Sequence, residues 1–272
     1  MTADLHIHTT ASDGRLSPNS ILQQAMEVGL SYIAIADHDT VDGLLEINEI
    51  IKKNTIDTIS IIPGIEFSTD LPENEVHILG YQIDIYNLEL RNQLNLLVAH
   101  RRERIKQMIH KLSQLGYSID YLRVIEIAKQ ATSIGRPHLA KALIEKGYFS
   151  TVSDVFTALL NKNSPVYVPH YKLTPSQVIT LIKKAGGIPV LAHPGLIGND
   201  NIVLDLINAG ILGLEAYHPT HTEIQIQRYL DLANQYNLYI TGGSDFHAVP
   251  TRFPERLGLF TIPASLAKKL SK

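Results

Sequence analysis

A chain of 272 residues with 44% hydrophobic and 19% charged side chains has the make-up of a globular protein with a substantial core, which excludes a disordered or fibrous one. There is no cysteine, so disulfides, thiolate metal sites, iron–sulfur clusters and cysteine nucleophiles are excluded together. The formal net charge of −3 argues against a broad nucleic-acid surface, but it averages a basic segment, residues 99–146 with ten Lys or Arg against four Asp or Glu, with an acidic remainder.

The first strand is expected at Asp4 to Thr9, close behind Met1. Alternation along a strand would point His6 and His8 the same way while Leu5 and Ile7 pack on the opposite face. Two imidazoles on one face are half of a metal site, or simply the polar side of an amphipathic strand. No basic and then apolar leader precedes this strand, and no apolar run approaches the roughly 20 residues needed to span a bilayer. A cytoplasmic location without membrane attachment is therefore expected.

Ser12-Asp13-Gly14 reads as a turn, and Ser17-Pro18 as a helix start for a helix that stops at Gly29. Tyr32 to Ala36 is a short apolar run of the kind buried on both faces of a parallel sheet, and it ends directly in Asp37-His38-Asp39. A helix is expected over Val41 to Lys53. The apolar run from Thr58 to Ile62 leads to Glu66, and Val76 to Tyr81 is a fourth strand with His77 near its start. Strand and helix in alternation indicate an α/β fold with a parallel sheet or barrel.

From Asn87 to about Lys162 the pattern is nearly all helical. Arg101, Arg102, Arg104, Lys106 and Lys111 decorate its first long helix, either as a solvated face or as part of an anion-binding lobe. The Gly135-Arg136-Pro137-His138 turn places an arginine fork and a histidine at a helix N-terminus, an arrangement suited to phosphate. From Thr174 the βα rhythm returns: Ile188 to Ala192 ends in His193, Gly213 to Tyr217 in His218, and Leu238 to Thr241 in Ser244-Asp245-Phe246-His247.

Seven strand segments thus carry ligand-type residues at or near an end: His6 and His8, His38, Glu66, His77, His193, His218, and Asp245 with His247. In a parallel barrel all strand C-termini open on one face, although His77 would have to be lifted there by a short or bent strand. His77 and His218 are also compatible with satisfied core histidines. Nitrogen and oxygen donors without thiols suit Mn²⁺, Zn²⁺ or Fe²⁺, and their number suits two or three ions. Ions that share a carboxylate suit hydrolysis, phosphoryl transfer to water above all.

The segments DLHIHT, IADHDT, PGIEFS, VHILGY, AHPG and GGSDFH resemble, in that order, the motifs of the PHP (polymerase and histidinol phosphatase) superfamily of metal-dependent phosphoesterases, and they extend from residue 4 to residue 247. The resemblance implies a distorted (β/α)7, TIM-like barrel built from residues 1–86 and 166–272, with a trinuclear metal centre and an all-helical insertion over 87–165. It implies that His6, His8, Glu66 and Asp245 surround one ion. Glu66 would bridge to a second held by His77 and His193, and His38 with His247 would hold a third. Many relatives have a histidine where this chain has Asp13, which is kept as the third ion's remaining ligand.

The insertion and its GRPHLA turn look like the branch of the family that dephosphorylates nucleotides. By that similarity Arg136 and His138 would contact the substrate phosphate. The implied activity is hydrolysis of nucleotide phosphate monoesters, or 5′ trimming of short RNA, by a metal-bridging hydroxide. His218 is taken as the proton donor, since a donor near neutral pH is most often histidine. The partner is then a phosphorylated nucleotide or short oligonucleotide, and no obligate protein partner is evident. Histidinol-phosphate phosphatase and a catalytically silent binding module are the alternatives. The silent module would have lost ligands, whereas here eight of nine positions hold the family's usual residue type.

Overall fold

The computed structural model describes residues 1–71, 74–128, 134–169, 171–250 and 252–271, with residues 70, 74 and 75 described by their backbone alone. The chain begins with β1 (Thr2–Ile7), α1 (Pro18–Glu27), β2 (Leu30–Ile35), α2 (Asp42–Asn54), β3 (Ser60–Leu71) and β4 (Asn74–Tyr81). Then come the α-helices α3 (Leu88–Gln114), α4 (Tyr121–Ala128), α5 (Arg136–Glu145) and the short α6 (Val152–Val155), which runs on into a π-helical turn over Phe156–Leu160. The last stretch holds α7 (Pro175–Lys184), β5 (Ile188–Leu191), α8 (Asp200–Asn208), β6 (Gly213–Tyr217), α9 (Glu223–Gln235), β7 (Tyr239–Gly242), β8 (Ile262–Pro263) and α10 (Ala264–Leu270).

The elements divide into two units, Met1–Gln93 with Lys172–Lys272, and Leu94–Tyr171. The insertion expected at 87–165 and the second unit are offset by a few residues at each end. The start of α3 is tied to the first unit, because Asn87 Nδ2 donates to Lys184 O at 3.3 Å and Glu89 pairs with Lys184 Nζ at 2.7 Å.

The first unit is one eight-stranded sheet in the order β7-β6-β5-β4-β3-β2-β1-β8. The neighbours β1, β2 and β3 are parallel, as are β5, β6 and β7. Beyond β7 the chain returns to β1: Phe246 donates to His6 O at 3.2 Å and accepts from the His8 N–H at 2.9 Å, which leaves a nearly closed barrel. Its core includes Leu5, Ile62, Tyr81 and Val190, with Ala3, Ala34, Ala36 and Ala192 small enough to let the strands draw together. Burying each of the larger side chains is worth ~1.5–3 kcal/mol. The helices are started by side chains as well as by propensity. Ser17 caps α1 through the Ser20 N–H, and Thr174 and Thr222 form capping boxes with Gln177 and Gln225.

One strand runs opposite to the sequence-based expectation. β4 is antiparallel to both β3 and β5, and Ser68 on β3 faces His77 on β4. His77 therefore needs no lifting by a bent strand. The start of an antiparallel strand lies beside the end of its neighbour, so His77 reaches the rim where β3 delivers Glu66.

In the second unit α3, α4, α5 and α6 bury Ile105, Met108, Leu112, Val124, Leu143 and Val155 in a core of their own. The basic run on α3 is only partly a solvated face. Arg102 and Lys106 are exposed, but Arg104 is buried and donates from Nε to Val168 O at 2.7 Å, and Lys111 Nζ donates to Tyr167 O at 2.9 Å. Among the described residues, no helix is long and apolar enough to cross a membrane.

Candidate metal centre

Glu66 lies at the centre of the rim, and its two oxygens face different imidazoles. Oε2 is 3.3 Å from His6 Nε2, 3.2 Å from His8 Nε2 and 3.1 Å from His38 Nδ1. Oε1 is 2.9 Å from His77 Nδ1 and 3.2 Å from His193 Nε2. Asp245 Oδ1 closes the first set, 3.6 Å from His6 Nε2 and 3.2 Å from His8 Nε2. On the outer side of His8, Asp13 Oδ1 lies 3.6 Å from His8 Nδ1 and 3.3 Å from His247 Nε2, and Asp13 Oδ2 lies 4.0 Å from His38 Nε2. Three groups result whose donor atoms lie within 4.8 Å of one another: His6, His8, Glu66 and Asp245; His38, Glu66 and His77; and His8, Asp13, His38 and His247.

The donor set suits divalent ions on a specific ground. His6 Nε2, both ring nitrogens of His8 and Glu66 Oε2 are buried and make no hydrogen bond. Buried polar atoms without partners are costly, and here they converge on shared points at which a cation would satisfy them together.

A further layer of buried carboxylates holds these side chains in place. Glu215, in the middle of β6, accepts from His6 Nδ1 at 2.9 Å and from the His193 N–H at 2.8 Å. The first bond puts the proton on Nδ1 and aims the Nε2 lone pair of His6 at Glu66 and Asp245. Asp4 accepts from the Ser244 N–H at 2.9 Å and from Ser244 Oγ at 2.5 Å. Asp37 accepts from the Thr9 N–H and Oγ1, both at 2.7 Å, and from Ser12 Oγ at 2.6 Å, fixing the turn that presents Asp13.

His193 and Asp245 have left-handed backbones, with φ of 26° and 51°. Such positions cost about 1–3 kcal/mol, and the bonds from Glu215 and Asp4 act at or beside them to offset that cost. Gly243 is required for a different reason. A Cβ there would lie 2.3 Å from His6 Cβ, so only glycine lets the end of β7 approach β1 this closely.

In the metal-free protein the site draws in positive charge. Burial pulls the His6 imidazole down, but Glu215, Glu66 and Asp245 push it well above its ordinary value. Burial also opposes protonation of His8, which Asp245 and Glu66 nevertheless raise to about 10. His38 goes the other way, lowered to about 4 by burial and by repulsion from His8 and His77. Burial pushes Asp4 up to about 6 against its bonds with Ser244.

The remaining sequence-based candidates fall in two places. His218 is buried at the rim with Nε2 3.6 Å from Asp245 Oδ2, and its Nδ1 accepts from the Thr220 N–H at 3.3 Å. Accepting at Nδ1 puts the proton of the neutral ring on Nε2. That tautomer leaves a hydrogen-bond donor and no lone pair at Nε2, which does not suit a metal ligand there. Arg136 and His138 belong to the second unit. Arg136 Nη1 donates to Leu160 O at 2.8 Å, with the guanidinium 5.4 Å from the Phe156 ring centre, and His138 Nδ1 accepts from the Gly135 N–H at 3.1 Å, capping α5. Glu215 and Arg252 were not anticipated. A carboxylate inside the run GLEAY was the available signal for Glu215, since a buried charge requires a partner.

The sequence pattern of the PHP domain family matches residues 4–186. The chain is 31% identical to phosphoribosyl 1,2-cyclic phosphate 1,2-diphosphodiesterase of Eggerthella lenta, over 97% of this chain and 100% of that protein. It is 32% identical to the 5′-3′ exoribonuclease Rnm of Escherichia coli, over 90% and 84%, and 30% identical to the 3′,5′-nucleoside bisphosphate phosphatase of Chromobacterium violaceum, over 90% and 87%. Among solved structures, a candidate metal-dependent phosphoesterase of Bifidobacterium adolescentis superposes with a TM-score of 0.85 at 32% identity, covering 98% of this chain and 94% of the other. A protein of Chromobacterium violaceum described as an amidohydrolase, with bound sulfate and no metal, gives a TM-score of 0.80 at 28% identity over 97% and 92%.

Proposed function

This chain belongs to the PHP domain family and is a hydrolase of phosphoric esters, and we propose that it removes a phosphate monoester from a nucleotide or from the 5′ end of a short oligonucleotide in the cytoplasm. The relatives named for a nucleoside bisphosphate and for 5′-3′ exoribonuclease action support the nucleotide class. The observation that carries the reading is the double-sided environment of Glu66, whose two oxygens serve two sets of imidazoles.

In this reading His6, His8, Glu66 and Asp245 hold one ion. Glu66, His77 and His193 hold a second, and Asp13, His38 and His247 hold a third beside His8. When bound, two or three divalent ions (Mn²⁺, Zn²⁺ or Fe²⁺) supply Lewis acidity, which lowers the pKa of water and offsets charge on the phosphoryl oxygens. The protein's own groups do the rest. Glu215 fixes the His6 tautomer, and Asp37 and Asp4 hold the turns that carry Asp13 and Asp245. His218, as the imidazolium with Nδ1–H on Thr220 Oγ1, gives its Nε2 proton to the leaving oxygen, and the neutral ring is reprotonated from solvent. Arg136, with His138 on the same turn, binds a substrate phosphate. Among the described residues the hydrogen-bond acceptor of its guanidinium is Leu160 O, so donors remain for an anion.

The test is phosphate release from a nucleoside 3′,5′-bisphosphate, AMP, phosphoribosyl 1,2-cyclic phosphate and histidinol phosphate, each with Mn²⁺ and with chelator. Metal-dependent turnover of the nucleotides ahead of the other two is expected. Faster turnover of the cyclic ester would move the assignment to a phosphodiesterase, and faster turnover of histidinol phosphate to the amino-alcohol phosphatase. No metal-dependent release from any of the four would refute the reading.

A further inference from the structure

Asp245 has two different sides. Oδ1 faces His6 and His8, while Oδ2 faces His218 and a cation that the metal-ligand pattern does not include, Arg252. Arg252 lies five residues beyond His247, where its N–H donates to Val249 O at 3.0 Å, and its Nη2 donates to Asp245 Oδ2. Its Nη1 also comes within 3.2 Å of His247 Nδ1. That nitrogen lies 2.8 Å from Asp245 O and carries its proton there, so the approach of Nη1 is a meeting of two donors and not a hydrogen bond.

The guanidinium therefore spends one of its five donors on Asp245. Among the described residues no other acceptor takes the remaining four, and 44% of the side chain faces solvent. The carboxylate it touches is also one whose charge a bound cation would draw toward Oδ1, which loosens its hold on Arg252.

We infer that Arg252 is a phosphate-binding residue of the rim: it rests on Asp245 Oδ2 when the site is empty of substrate and turns its free fork to two oxygens of a phosphate monoester held there. The ligand class is a terminal phosphate dianion, whose oxygens match the planar guanidinium. The inference rests on the phosphoesterase reading but adds to it a contact supplied by the barrel unit itself, independent of Arg136.

Calorimetric titration of the Mn²⁺-loaded protein with inorganic phosphate, run beside elemental analysis for bound manganese, tests it. Arg252→Ala should weaken phosphate binding at least tenfold and raise KM for the ester by a similar factor, with manganese content unchanged. Arg252→Lys, which keeps the charge without the fork, should fall between. Lys52→Ala, a charge removed from exposed α2, should change nothing. Melting curves of each variant guard against loss of fold.

Wild-type phosphate affinity in Arg252→Ala, while the wild type hydrolyses esters, overturns the inference and leaves the proposed function standing. Loss of manganese in proportion to phosphate affinity also overturns it, since Arg252 would then only brace Asp245. A loaded wild type that neither binds phosphate nor hydrolyses an ester overturns both.

Discussion

Replacing Glu215 by glutamine removes one negative charge and converts one of two buried acceptors into a donor. The wild-type carboxylate accepts from His6 Nδ1 at 2.9 Å and from the His193 N–H at 2.8 Å, with no exposed surface. If the new amide group faces His193, it meets an N–H with an N–H. If it faces His6, it forces the proton from Nδ1 to Nε2 and removes the lone pair aimed at Glu66 and Asp245. A hydrogen bond to a charged group is worth about 1.5–3 kcal/mol. At about 1.4 kcal/mol per factor of ten, metal affinity should fall roughly 10- to 100-fold, which is the usual effect of losing a partner behind a ligating histidine. Mn²⁺ titration of chelated protein, followed calorimetrically, reads this directly. Wild-type affinity in a folded Glu215→Gln variant would refute the claim that Glu215 orients the centre.

Other consequences can be checked on the same material. His218→Gln should lower kcat by about 10²–10⁴-fold, the usual contribution of a proton donor, with bound metal unchanged; loss of metal would make His218 a ligand instead. Asp13→Ala should lose one bound ion while Asp13→His retains it, as counted by elemental analysis, and equal counts in both would remove Asp13 from the ligand set. Folding raises His8 from 6.5 to about 10, so its stabilisation of the metal-free protein is fully present below pH 6.5 and is lost as pH rises through about 10. The chelated protein should accordingly melt at lower temperature across that interval. Metal affinity should climb over the same range, by about tenfold per pH unit for each proton displaced, and a flat affinity would contradict the assignment.

The sequence made most of the rim legible because histidines and carboxylates ending apolar β-branched runs are conspicuous. His6, His8, His38, Glu66, His193, Asp245 and His247, each visible that way, come together with His77, which opens its apolar run, around three shared points. The direction of β4 was harder to read because an apolar run carries no arrow. Its connection did carry one. Parallel strands need a crossover of a dozen or more residues, and the few residues between Phe67 and Val76 leave room only for a hairpin. Glu215 was hidden by its apolar neighbours, since alternation and periodicity treat one carboxylate inside a strand as noise. Arg252 lies in a loop whose sequence has no period at all, and only its pairing with Asp245 reveals it. β8 was missed because two residues, Ile262–Pro263, are too short to register as a strand, although they pair with Thr2 and Ala3.

The central claim is that Glu66 joins two ions through its separate oxygens. Anomalous diffraction from crystals of the Mn²⁺-loaded protein addresses it most directly. A manganese peak among His6, His8, Asp245 and Glu66 Oε2, with a second beside Glu66 Oε1, His77 and His193, is the result expected. Manganese elsewhere on the molecule, or a single peak that engages only one oxygen of Glu66, would contradict it.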